Sequence, residues 1–159
     1  MKIRKVIMSI VVIVIVIFCL LSAFLFHASA PIRKERKETI ALAEKYADLK
    51  KAEDFYWYDR DKTYYTIMGV NADHQDVIVT VPKDGDTIKV LNQKDGVTEQ
   101  DVINTMHDKY HPYKINKIEF GYIKDTPIWE VTVINKNDTL SYYNFRFSNG
   151  KLYSKTTDF

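Results

Sequence analysis

Apolar and polar positions divide the chain into an unbroken N-terminal block and a longer alternating region. Val6 to Phe26 is a run of 21 residues without a charge. At ~1.5 Å per residue a helix of that length is ~31 Å long. That is enough to cross a hydrocarbon core of ~30 Å. Arg33 to Ala52 reads as a charged helix: Ile40, Ala43, Ala47 and Leu49 recur near helical spacing, and Gly and Pro are absent. Asp54-Phe55-Tyr56-Trp57-Tyr58 is an aromatic strand, and Asp59-Arg60-Asp61-Lys62 is a polar turn. Further strands are predicted over 64–70, 76–81 and 87–91, the last two separated by the turn signal Pro82-Lys83-Asp84-Gly85-Asp86.

The pattern then repeats. Asn92 to Gly96 breaks the chain, and Thr98 opens a second helix with Asp101 three residues on. Val102, Ile103, Met106 and Tyr110 share one face of that helix, and Pro112 ends it. Strands are predicted over 114–123, 128–133 and 140–147, then a hairpin turn at Ser148-Asn149-Gly150 and a last strand over 151–155. Trp129, Val131 and Val133 alternate on one strand face and are predicted to pack on Met106 and Tyr110. At an offset of 64, Lys45-Tyr46 falls on Lys109-Tyr110, Tyr65 on Trp129, Ile67 on Val131 and Asn71 on Asn135. Gly85 and Gly150 match after one further residue. An internal period signals a duplicated structural unit. The expected fold is α+β: a cytoplasmic tail 1–5, a transmembrane helix 6–26, and two tandem cystatin-like units over 33–92 and 97–159. Each unit is one helix on a four-stranded antiparallel sheet. A unit of about 60 residues buries only ~60% of its surface and is marginal alone, so the two are expected to pack as one body.

Charge narrows the function. Of the 23 Lys and Arg, three precede the apolar run, which leaves 20 against 21 Asp and Glu in the remainder. A nucleic-acid binder normally shows a clear basic excess, so none is expected. The 11 Tyr, 8 Phe and 2 Trp favour a sheet-rich fold. The single cysteine, Cys19, sits inside the apolar run, which excludes an intramolecular disulfide and any thiol chemistry in the soluble region. The apolar run has a rival reading as a cleaved signal peptide, because Ala28-Ser29-Ala30 resembles a cleavage site. The run exceeds the usual ~7–15 residues, and Pro31 would follow the scissile bond. An uncleaved anchor is therefore expected, with the C-terminal domain outside the cytoplasm.

Little in the sequence carries chemistry. His107 and His111 stand four apart, a spacing that can hold a metal, with Asp108 or His74 as further ligands. His111 next to Pro112 also fits a helix end, and surface histidines are expected. Asp59, Asp61, Asp73, Asp76, Asp84 and Asp86 all lie in predicted turns, where Asp bonds the local backbone. No Gly-rich phosphate loop or serine elbow occurs. No catalytic, cofactor or metal residue is expected, and no small-molecule substrate. Asn137-Asp138-Thr139 is read as a turn, and Arg33 to Lys37 as a solvated first turn or a lipid or wall-polymer contact. Phe55 to Tyr58 puts two aromatics on each strand face. One pair packs under a helix. The other lies between the units or offers a partner surface, with Tyr56, Trp57 and Tyr58 the candidate partner-binding residues.

The order of elements resembles the TseB-like (YpmB) proteins of Firmicutes. The carrying features are the anchor, Ala43-Glu44-Lys45-Tyr46, Tyr64-Tyr65-Thr66-Ile67-Met68-Gly69, Ile128-Trp129-Glu130-Val131 and Gly150-Lys151-Leu152-Tyr153. The resemblance implies a single membrane anchor and two cystatin-like subdomains, the second related to PepSY domains. It also implies a role in cell-wall elongation alongside a class B penicillin-binding protein, performed by binding rather than catalysis. A protease inhibitor or chaperone-like module at the cell surface is the alternative that PepSY and cystatin-like folds imply.

Overall fold

The computed structural model describes residues 2–28, 30–85 and 87–157. The middle of the apparent cleavage site, Ser29, and the turn carboxylate Asp86 lie outside the described residues, as do Met1, Asp158 and Phe159. The chain falls into two compact bodies, one up to Lys37 and one from Glu38 onward.

The first body holds helix α1 (Lys2–Ala28) and the start of α2 (Ala30–Ala47). α1 is long and apolar enough to cross a membrane. The apolar side chains described along it are exposed, Phe18 at 69% and Leu20 at 65% among them. Near its end the Arg33 guanidinium lies 4.2 Å from the Phe26 ring centroid and donates to the Phe26 carbonyl at 2.7 Å.

In the second body, the end of α2 covers the first sheet. Ala43 is fully buried with Leu49, Ile67, Val77 and Val79. The helix stops at Ala47, five residues before the end that composition suggests. Asp48 takes a left-handed conformation (φ 49°), and its carbonyl accepts from the Ala72 N–H at 3.0 Å. Leu49 to Ala52 have ordinary helix propensity, but pairing with Asn71 to Gly69 claims them for the sheet.

Strands β1 (Leu49–Asp59), β2 (Thr63–Asn71), β3 (Asp76–Pro82) and β4 (Lys89–Asn92) form an antiparallel meander in that order. Strands β5 (Lys114–Ile123), β6 (Thr126–Ile134), β7 (Leu140–Arg146) and β8 (Leu152–Thr157) form a second one. Helix α3 (Glu99–Thr105) precedes it. The Thr98 hydroxyl accepts from the Asp101 N–H, while the Asp101 carboxylate accepts from the Thr98 N–H at 2.9 Å. This is the capping box that the spacing of the two residues suggests. The α-helical hydrogen bonding ends earlier than expected. Met106–Tyr110 is a π turn, closed by a 3.0 Å bond from the His111 N–H to the Met106 carbonyl. His111 itself is left-handed, at φ 46°.

The backbone repeats as faithfully as the sequence. Left-handed residues recur at Asp48 and His111 before each sheet, at His74 and Asp138 between the second and third strands, and at Gly85 and Gly150 before the last strands. Asn71 and Asn135 close equivalent turns. The N–H of each donates four residues on, to Gln75 and Thr139, and the carbonyl of each accepts from the left-handed residue.

Trp129, Val131 and Val133 lie in one cluster with Val102 and Met106, and Tyr110 packs against it. β6 departs from simple alternation. Ile128, Glu130 and Thr132 on its other face are buried too. β2 and β3 are likewise buried continuously over Tyr64–Ile67 and Val77–Thr80. The first sheet lies between α2 and the second unit, so both of its faces are covered.

Candidate functional site

The aromatic strand β1 and the seam it makes with the second unit hold the residues singled out above. Alternation along β1 sends Phe55 and Trp57 to one face and Tyr56 and Tyr58 to the other. Phe55 packs against the cluster under α2. Trp57 sets its ring edge on Tyr65 at 5.2 Å and stays partly exposed.

The opposite pair enters the seam. The Tyr56 hydroxyl donates to Glu99 Oε2 at 2.5 Å, and its ring meets Trp129 edge-on at 5.4 Å. Tyr58 is 2% exposed. It fills the space that a side chain at Gly121 would need, since a Cβ there would sit 2.3 Å from the Tyr58 ring. Tyr64 packs on Tyr122 at 5.6 Å, and the Thr66 hydroxyl reaches the Phe120 carbonyl at 3.4 Å. Burial pushes the phenols of Tyr56, Tyr58 and Tyr122 well above their usual range; the Glu99 carboxylate adds to the shift at Tyr56. These hydroxyls therefore remain neutral donors at any physiological pH.

The seam also holds an ion pair. Arg60 Nε lies 3.0 Å and 3.2 Å from the two Glu130 oxygens, and its Nη2 contacts Oε1. Glu130 is 2% exposed, and the guanidinium stacks over Tyr142 at 4.4 Å. Glu130 chiefly raises the Arg60 pKa. The Arg60 side chain is 41% exposed, so solvent screens the pair, but the contact covers the buried Glu130 carboxylate and links the two units. Beside it, Lys117 pairs with Glu119 Oε1 at 2.5 Å. Burial raises the Glu119 carboxyl above its usual range, and Lys117 opposes that shift.

Trp57 thus keeps an open surface, Tyr56 is half-buried against α3, and Tyr58 is interior. His74, His107 and His111 are exposed, as are Asp59, Asp61, Asp73, Asp76 and Asp84. Asp59 accepts from the Thr63 hydroxyl at 2.6 Å, and Asp84 pairs with Lys62 at 3.2 Å. Among the described residues, no three His, Cys, Asp or Glu side chains gather where one cation would sit. Arg60, Glu130 and Asn144 had no sequence signal. Arg60 reads as a turn residue and the other two as outward strand positions. Their burial depends on how the sheets pack.

The family described as "Cell wall elongation regulator TseB-like domain" matches residues 38–82, which are the end of α2 and strands β1 to β3. Across 99% of both chains the sequence is 24% identical to a Bacillus subtilis protein named "Probable cell wall elongation regulator TseB". Over residues 38–82 the chain resembles the TseB-like family. The solved structure titled "YpmB protein from Bacillus subtilis" superposes with a TM-score of 0.68 at 23% identity, over 77% of this chain and 96% of that one. The chain therefore shares the fold of that structure, two four-stranded sheets each with a helix.

Proposed function

We propose that this chain is a membrane-anchored regulator or scaffold of cell-wall elongation, working outside the cytoplasm by binding a class B penicillin-binding protein. The observation that carries this reading is the end-to-end likeness to a protein named as a probable cell wall elongation regulator, anchor region included. α1 spans the membrane, residues 1–5 face the cytoplasm, and the two cystatin-like units over 33–92 and 97–159 face the wall. The units act as one rigid body because their seam is aromatic and ion-paired. Trp57, partly exposed on β1, is the favoured partner contact: it is a large aromatic on an ordered strand, the kind of residue that dominates binding energy at interfaces. Tyr56 and Tyr58 support that strand from behind rather than touch the partner.

Two measurements test the reading. An alkaline phosphatase fused after Phe159 is active if the domain is external, and an inactive fusion at normal abundance reverses the topology. Affinity capture of the full chain from solubilised membranes recovers a class B penicillin-binding protein. Recovery of a protease in its place supports the inhibitor reading instead.

A further inference from the structure

Turns of the two units and the strands of the second sheet border an open groove with two arms. One arm, of about 500 Å³, carries Arg60, Lys62, Lys89 and Lys124 beside the rings of Tyr64 and Tyr122. The other, of about 460 Å³, carries Glu130, Tyr142, Asn144, Ser154 and Thr156. Tyr58, Arg60, Asp61 and Ile123 line both arms, so the two are continuous at the Arg60–Glu130 pair. Each volume falls in the ~300–1,000 Å³ range of small-ligand sites.

Three features define what would fit. First, Asn144 is only 6% exposed. Its Nδ2 donates to Ser154 Oγ at 3.1 Å, while Oδ1 has no hydrogen-bond partner in the protein. A buried acceptor without a donor is unfavourable, and a small rotation of the amide toward the groove would let a ligand hydroxyl satisfy it. Second, Ser154 and Thr156 add hydroxyls that both donate and accept, on the outermost strand of the sheet. Third, the cations of the other arm sit in ion pairs open to solvent, with Lys89 also 4.2 Å from the Tyr122 ring centroid. Lys89 pairs at 3.2 Å with Asp125, which is fully exposed, and Lys62 pairs at 3.2 Å with Asp84, which is 51% exposed. Surface pairs of this kind contribute little and give way to a phosphate, which makes stronger charge-assisted bonds.

From these features we infer that the groove binds a hydroxyl-rich, phosphate-bearing chain, an anionic glycan or polyol phosphate. The lysine arm takes the phosphates, and the Asn144 arm takes the hydroxyls. An acidic peptide would satisfy the lysines but would bring no regular row of hydroxyls to Asn144, Ser154 and Thr156. The inference rests on the domain facing the wall, but its test uses purified components, so failure here leaves capture of the penicillin-binding protein untouched.

The test is calorimetric titration of the full chain in detergent with poly(glycerol phosphate), neutral dextran or poly-L-glutamate. Poly(glycerol phosphate) should bind at least about tenfold more tightly than either control, a difference of ~1.4 kcal/mol. The double variant Lys62→Gln/Lys124→Gln should lose about tenfold in affinity, ~1.4 kcal/mol shared by two solvent-exposed charge contacts. Asn144→Ala should also lose affinity with an unchanged melting curve. Should that variant melt early, Ser154→Ala/Thr156→Val reads the same arm from the sheet edge. Absence of poly(glycerol phosphate) binding at millimolar polymer overturns the inference. So does a control that matches it, or a set of folded variants that all bind as the parent does.

Discussion

Replacing Trp129 by alanine is the sharpest test of how this domain is held together. The indole is fully buried, meets Phe120 edge-on at 5.0 Å and Tyr56 at 5.4 Å, and donates from Nε1 to the Val97 carbonyl at 2.9 Å. It therefore ties together β6, β5, the α3 approach and β1 of the other unit. Truncating a buried aromatic typically costs ~3–5 kcal/mol. Losing the donor to Val97 adds ~1 kcal/mol. A domain of this size has ~5–15 kcal/mol in all, so Trp129→Ala removes a large fraction. In urea unfolding of a fragment spanning residues 38–159, the midpoint should fall steeply, or the variant should be unfolded before urea is added. Trp57→Ala is the contrast, because Trp57 is partly exposed and has one edge contact, with Tyr65. Its loss should cost ~0.5–1.5 kcal/mol while weakening partner capture. A Trp129→Ala fragment as stable as the parent would refute the core assignment, and a Trp57→Ala chain normal in both assays would remove the partner role from β1.

Other perturbations probe the seam and the caps. Gly121→Ala forces a methyl into the Tyr58 ring and should cost ~1–3 kcal/mol, read as a lowered melting temperature. Thr98→Ala breaks the capping box and should cost ~1 kcal/mol in the same assay. Glu119 gives a pH signature: its folded carboxyl is raised by burial, so the folded state holds the proton more tightly than the unfolded chain. That contribution is fully present below the unfolded value near 4.5 and is lost as pH rises through the folded one. Glu119→Gln should therefore be more stable than the parent at pH 7, with the advantage vanishing in acid, and equal stability at both pH values would contradict the assignment.

Much of this architecture is legible in the chain because duplication repeats each local signal. The eight strands, the Thr98 cap and the Gly150 turn follow from alternation, capping chemistry and turn residues, and the structure places them within a few residues. The start of β1 was not legible. Lys50, Lys51 and Ala52 carry no strand signal, and only pairing with β2 holds them extended. The π turn at Met106–Tyr110 has no composition cue either. The seam is the largest gap. Alternation assigns Glu130 and Asn144 to an outward face, and it becomes interior only when β1 and its turn lie over it. For the aromatic strand, period two gives the faces of Phe55 to Tyr58 but not what each face meets. That is why Tyr58, read as a partner residue, proves to be buried packing.

The most direct measurement is in-cell crosslinking. A photoreactive amino acid placed at position 57 of the full chain, in its own cells, reports what touches β1. The adduct recovered and identified by mass should be a class B penicillin-binding protein, and it should disappear when that synthase is depleted. A crosslink to a protease, or no protein adduct at normal abundance of the chain, would contradict the proposal that the domain regulates wall elongation by binding through this strand.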